Sequence, residues 1–195
     1  MIDHLVYATP DLGIVDRLGI AVGPGGQHLG LGTRNFLAGL GGGAYLEVIG
    51  PDPDQPEPAQ PRPFGIDGLT EPRLVGWAAG VSGIVDVVAR AQAQGYDPGP
   101  VMSMSRQRPD GVLLEWQLTP PATGLLPFLI DWGTSPHPSK DAVQGATLVS
   151  FRGFHPSPDE VHKGLSALGE ELAVAAGELA LEAVIQTSGG EVVLR

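Results

Sequence analysis

The sequence predicts an α+β protein made of tandem strand–helix–strand–strand–strand units, followed by a shorter strand–helix–strand–strand extension. Three observations carry that prediction. Leu12-Gly13-Ile14-Val15-Asp16 recurs as Ser82-Gly83-Ile84-Val85-Asp86, an offset of about 70 that also matches Tyr7 with Trp77 and Ala8 with Ala78. Residues 51–63, PDPDQPEPAQPRP, hold six prolines and three acids, which makes them a stiff connector rather than a helix or central strand. The 29 Gly and 19 Pro favour many short elements joined by sharp turns.

Taken in order, DHLVYA reads as the first strand, and Thr9 before Pro10 opens a helix of barely two turns that ends before Gly19. Short β-like runs follow at about 26–31, 34–40 and 44–49, separated by Gly-rich turns. Beyond the connector, RLVGWAA repeats the first strand over 73–79. Ser82 then caps a helix over 83–94, closed by Gly95. Three more β-like runs fall at about 100–105, 112–118 and 126–132, with Asp110-Gly111 as a hairpin signal. In the last third, ATLVSFRGF is a strand, and Ser157-Pro158-Asp159-Glu160 is a capping box opening a helix that stops at Gly169. LAVAAGELALEAVIQT and EVVLR then form a hairpin about Ser188-Gly189-Gly190, which leaves this unit one strand short. The expected organisation is a first module over 1–50, a connector over 51–70, a second module over 71–133, and a linker with the extension over 134–195.

The 195 residues suffice to bury a sizeable core, and 42% hydrophobic with 17% charged residues is a globular composition. A net charge of -11 repels a phosphate backbone, so nucleic acid is not an expected partner. The absence of Cys excludes disulfides, thiolate nucleophiles and iron–sulfur clusters, and leaves His, Asp, Glu or water to hold any metal. MIDHLVYATPD lacks the basic start and apolar run of a signal peptide, and no apolar stretch reaches the ~18 residues needed to span a bilayer. The expectation is a cytoplasmic protein with no membrane partner. No GxSxG elbow, phosphate loop or HExxH is present, and the Gly39–Gly43 run lacks the Lys of a phosphate cradle.

The opening DHLVYATPDL, the run HLGLGTRNFLAGLGGGAYLEVIG over 28–50, and the later WAAGVSGIV, RPDGVLLEWQL and LPFLIDWG resemble the vicinal oxygen chelate superfamily, in particular its glyoxalase-like domain proteins. The likeness spans about residues 1–133. It implies tandem βαβββ modules whose mixed sheet curls into a half-barrel around a cleft. It also implies a metal site with His or Gln from the first strand and Glu from the last strand of each module, which here are His4 and Glu47. An imidazole and a carboxylate suit Zn, Ni, Mn or Fe(II). The second module departs from the pattern: the offset sets Leu74 against His4, and the nearest last-strand acid is Asp131. At most three ligands of the usual set survive, with His28 or water to complete them.

Glu47 stands inside an apolar strand, where an acid is costly unless it is coordinated or paired, an ion pair with Arg34 being the plain alternative. His28, Thr33 and Asn35 share a Gly-rich segment and offer donors and acceptors to a small polar-headed ligand, or else support a hairpin. Trp77, Trp116 and Trp132 fall on predicted strands as core or as cleft wall. Arg106 and, less well placed, Arg108 could capture an anion, whereas His155 and His162 read as surface or packing residues. The leading expectation is a binder of a small, partly apolar, oxygen-bearing molecule with no complete metal site, in which Trp77 and Trp116 stack on the ligand and Asn35, Thr33 and Arg106 fix its polar end. The alternative is a divalent-metal lyase, isomerase or dioxygenase with His4, Glu47 and Asp131 as ligands and Glu47 or His28 moving a proton. A homodimer is the assembly to look for.

Overall fold

The computed structural model describes residues 1–107 and 111–195, with the backbone alone at 106 and 107. The sequence readings of Arg108, Asp110 and the Arg106 side chain therefore lie outside the described residues.

Alternation of side chains across the strands builds an eight-stranded curled sheet in the order β2-β3-β4-β1-β5-β8-β7-β6. Its first half is β1 (Ile2–Ala8), β2 (Gly23–His28), β3 (Thr33–Gly39) and β4 (Tyr45–Pro51). The second half is β5 (Arg73–Gly80), β6 (Met102–Gln107), β7 (Leu113–Leu118) and β8 (Phe128–Asp131). In each half the first strand pairs in parallel with the last, β1 with β4 and β5 with β8. β1 and β5 join the halves antiparallel. The repeat inferred from the GIVD segments is thus real, and both halves have the same internal order.

The connections differ. In the first half Leu12–Arg17 is a 3-10 turn rather than an α-helix, and its cap is Asp11, whose Oδ1 accepts from Gly13 N–H at 2.8 Å. Thr9 instead closes a local turn on Asp11. In the second half α1 (Ile84–Ala93) buries Ile84, Val87, Val88 and Ala91, the one-face spacing of a helix lying on a sheet. It starts after Gly83 in the left-handed conformation (φ 69°), so Ser82 is not its cap.

The C-terminal extension carries three strands after its helix, not two. After β9 (Thr147–His155) and α2 (Pro158–Leu168), the run expected as one strand breaks at residues 177–179 into β10 (Ala173–Ala176) and β11 (Ala180–Thr187), followed by β12 (Gly190–Leu194). Gly177-Glu178 marks the break in the sequence, but a single Gly-Glu pair between apolar stretches is a weaker turn signal than Ser188-Gly189-Gly190. The order is β10-β9-β11-β12, with β9 and β10 parallel, so this sheet repeats the element order of the modules but not their pairing. Ser157 makes no side-chain cap bond, and α2 opens with Pro158 and ends at left-handed Gly169.

Two cores flank the large sheet. On the helix side, Leu5, Tyr7, Leu74 and Trp77 pack with Ile84 of α1, Leu165 of α2, and Ala183 and Ile185 of β11, so the extension closes one continuous core. On the concave side, Val6, Ile49, Phe64, Val75, Leu118, Phe128 and Ile130 form a smaller cluster at the base of a cleft. Among the described residues no helix is long and apolar enough to cross a membrane.

Candidate functional site

The cleft lies on the concave face of the curled sheet and has a volume of about 100 Å³. Period-2 alternation selects its lining: His4 on β1, Asn35 and Leu37 on β3, Tyr45, Glu47 and Ile49 on β4, Trp116 and Leu118 on β7, Phe128 and Ile130 on β8. His28 at the end of β2, Met104 on β6, Trp132 after β8, Pro63 and Phe64 from the connector, and Leu31 and Pro121 from loops complete the walls.

Four polar side chains meet at one end, all from the first half. Asn35 Nδ2 donates to Glu47 Oε1 at 2.6 Å and lies 3.3 Å from His28 Nε2. His28 Nδ1 lies 3.0 Å from Thr33 Oγ1, so a hydrogen on Nδ1 leaves the Nε2 lone pair towards the Asn35 amide. Glu47 stands between the two imidazoles, with Oε2 3.8 Å from His4 Nε2 and Oε1 3.9 Å from His28 Nε2. The sequence pairing of Glu47 with Arg34 does not occur. Arg34 points to the other side of β3, towards Asp52 at 3.6 Å and Asp54 at 3.2 Å.

Behind His4 sits a residue the sequence reading passed over. Asp3 is 5% exposed, and its carboxylate accepts from His4 Nδ1 at 2.7 Å, His137 Nε2 at 2.9 Å and the Trp132 indole N–H at 3.0 Å. His137 is oriented in turn by Ser139, whose N–H reaches Nδ1 at 3.2 Å, so the hydrogen lies on Nε2 facing Asp3. Burial pushes the Asp3 carboxyl upward. Hydrogen bonds from His137 and His4 outweigh burial and hold it well below the usual carboxylate range. The consequence for His4 is a fixed tautomer: Nδ1–H faces Asp3, and the Nε2 lone pair faces Glu47 and the cleft. The ring is held in place by stacking on Tyr45 at 4.7 Å and by the edge of Phe128 at 5.5 Å. A signal for Asp3 was present, since it is an acid inside an apolar strand by the same reasoning that singled out Glu47. His137 comes from the linker, where local pattern carried no signal.

The second half contributes walls only. Trp116 and Trp132 form a tilted pair at 5.2 Å beside Phe128 and Met104. Trp77 does not join them: it is fully buried on the helix side, donates its indole N–H to Leu125 O at 2.8 Å, and meets the edge of Phe151 at 5.7 Å. Asp131 is also on the wrong face for a ligand. Its carboxylate accepts from Gly83, Ile84 and Gly133 N–H and caps α1. Leu74 lies in the helix-side core, and Val75 occupies the concave side; neither can ligate. Thr33 is fully buried and acts through His28 rather than at the cleft surface. His155 bonds at the start of α2 through Ser157, and His162 is exposed on α2.

A divalent ion is the group the resemblance implies, and the donors present fit it incompletely. Among the described residues no three His, Asp or Glu side chains gather closely enough to hold a metal. The Asn35 amide, which presents hydrogens, is seated on Glu47 Oε1 and against His28 Nε2 where a cation would compete for the same lone pairs.

A solved structure of a hypothetical protein from Staphylococcus aureus superposes with a TM-score of 0.62 at 16% identity, over 98% of this chain and 83% of that one. The Mn(II)-bound glyoxalase from Novosphingobium aromaticivorans superposes with a TM-score of 0.51 at 12% identity, over 98% and 81%. At these identities the likeness is one of fold. No curated protein matches the chain. The family model of the glyoxalase-like domain matches residues 2–169, which takes in both halves of the curled sheet, β9 and α2. With a cleft on the concave face of paired βαβββ halves and a family match over most of its length, this chain belongs to the glyoxalase-like domain family of the vicinal oxygen chelate superfamily.

Proposed function

We propose that the chain binds a compact, partly apolar, oxygen-bearing small molecule in this cleft without a complete metal site. The observation that carries the reading is the division of the walls. The polar groups come from β1–β4 alone, and the described lining from β6–β8, Met104, Trp116, Leu118, Phe128 and Ile130, offers no oxygen or nitrogen lone pair. Since one enclosed water needs about 10–15 Å³, the cleft takes roughly ten non-hydrogen atoms, the size of a single substituted ring. His4 Nε2 and Glu47 Oε2 both present lone pairs, so they select hydroxyl hydrogens. Trp116 and Trp132 supply the apolar face against which the ring rests.

Titration of the purified protein with phenol and with catechol, read by tryptophan fluorescence in the presence of a chelator, tests the reading. Saturable quenching is expected in the wild type, with loss of binding in Trp116→Ala and at least tenfold weakening in Glu47→Gln. Binding that vanishes on chelation and returns with added metal overturns it.

A second reading, divalent-metal lyase, isomerase or dioxygenase chemistry with Zn, Ni, Mn or Fe, is favoured by one observation: the Asp3–His4 hydrogen bond is the outer-shell device that orients a metal-binding imidazole. Metal analysis decides it. A stoichiometric metal whose content falls in His4→Ala supports the metal enzyme.

A further inference from the structure

A second cavity, of about 350 Å³, lies between the second half of the curled sheet and the C-terminal extension. Leu69, Val75, Leu125 and Leu181 wall it, and Leu179, 58% exposed, stands at its rim in the turn between β10 and β11. Arg73 is the one charged residue among its described lining, and it has no ion pair among the described residues. Phe64 is the only described residue that lines both this cavity and the cleft, so its ring is the partition between them. It adopts φ 59°, ψ 16°, the only non-glycine in the described chain with positive φ, and a bulky side chain in that conformation is strained.

We propose that this cavity is a binding site for a medium-chain aliphatic carboxylate, with the chain among the leucines and the carboxylate on the Arg73 guanidinium. The argument is chemical complementarity. Walls that are mainly aliphatic, with one cation at the edge that has no ion pair among the described residues, match an amphiphile with one anionic end, and a guanidinium grips a carboxylate through two parallel hydrogen bonds. The cavity has more than three times the volume of the cleft, so on the same measure a chain of about ten carbons fits with room to spare. The site is independent of the cleft chemistry, since none of its lining residues belongs to the His4–Glu47 cluster.

Calorimetric titration of the full chain with hexanoate, octanoate and decanoate tests this. Affinity is expected to rise roughly fourfold per buried methylene. Arg73→Gln should weaken decanoate at least tenfold while leaving decanol unchanged, and Ala180→Phe, which fills the cavity from β11, should abolish both. Arg73 is exposed, so its variant keeps the test meaningful even if Ala180→Phe fails to fold, which circular dichroism would show. Trp116→Ala should leave decanoate binding intact. No chain-length dependence, or wild-type affinity in Arg73→Gln, overturns the proposal. Loss of decanoate binding in Trp116→Ala also overturns it, by moving the chain into the cleft. Failure of the phenol and catechol titration would leave the decanoate result standing.

Discussion

Replacing Asp3 by Asn preserves shape and removes charge. The carboxylate takes three donors, from His4, His137 and Trp132, and an amide has a single oxygen with which to accept. Turning that oxygen to His137 and Trp132 keeps two bonds at neutral strength and sets the amide hydrogens against His4 Nδ1. Hydrogen bonds to a charged group contribute about 1.5–3 kcal/mol against about 1 kcal/mol for neutral ones, so the substitution should cost about 2–4 kcal/mol. For a chain of this size that lowers Tm by about 5–15 °C. The sign with pH follows from the depressed carboxyl. Its contribution is complete above the ordinary carboxylate pKa of about 4 and is lost as pH falls below that towards the depressed value. Melting curves of wild type and Asp3→Asn should therefore stay apart above about pH 5 and converge in acid. The same variant pushes the His4 hydrogen from Nδ1 to Nε2, which imidazole ¹⁵N shifts read directly and which should weaken any cleft ligand that donates to His4. A variant as stable as wild type, or a gap that widens on acidification, refutes Asp3 as the centre of this network.

Three further outcomes are expected. Trp77→Ala should cost about 3–5 kcal/mol in denaturant unfolding as a large core deletion, yet leave catechol affinity within twofold, because the ring lies on the helix side of the sheet. Asp131→Ala should cost about 1 kcal/mol by uncapping α1, with unchanged metal content in the purified protein. At Phe64 the order of stabilities should invert the usual preference, with Phe64→Gly more stable than Phe64→Ala by about 1 kcal/mol, because only glycine occupies φ 59° without strain; equal midpoints would show that the left-handed conformation is not retained.

Much of the fold was legible because it rests on local signals. The GIVD repeat located β1 and β5, and proline density located the connector. Turn residues bounded most strands to within a few positions. Failures came where two local signals compete. The 3-10 turn at Leu12–Arg17 has the apolar pattern of a helix but only six residues in which to propagate one. In the extension, the turn between β10 and β11 carries only the short Gly177-Glu178 signal between two apolar stretches. For the site, His4 and Glu47 from apolar strands and His28 and Asn35 from the Gly-rich segment do share the cleft, whereas Asp131, an acid in an apolar run as well, caps α1. Asp3 satisfied the same criterion, and His137 is brought to it by a linker whose path only tertiary packing decides.

The sheet faces of β5 were not legible, and the reason is a single residue. Along β1, Leu5 and Tyr7 are spaced by two and share the helix side; along β5, Leu74 and Trp77 share that side at a spacing of three. The pairing explains it, since Val6 faces Gly76 and Tyr7 faces Leu74, so Val75 is passed over as a bulge. An offset of 70 is correct at Tyr7 and Trp77 on one side of the bulge. On the other side it sets cleft-facing His4 against helix-facing Leu74, since one inserted residue exchanges the two faces of a strand. At the end of β8 the same one-residue distinction separates Ile130, which lines the cleft, from Asp131, which caps α1. The asymmetry of the halves survives either alignment: Leu74 or Val75 at the first strand, and Phe128 or Ile130 at the last, are all without a lone pair to offer. A polar end built by one half and an apolar wall built by the other is thus a property of the residues themselves, and it sets the orientation of the ligand we propose.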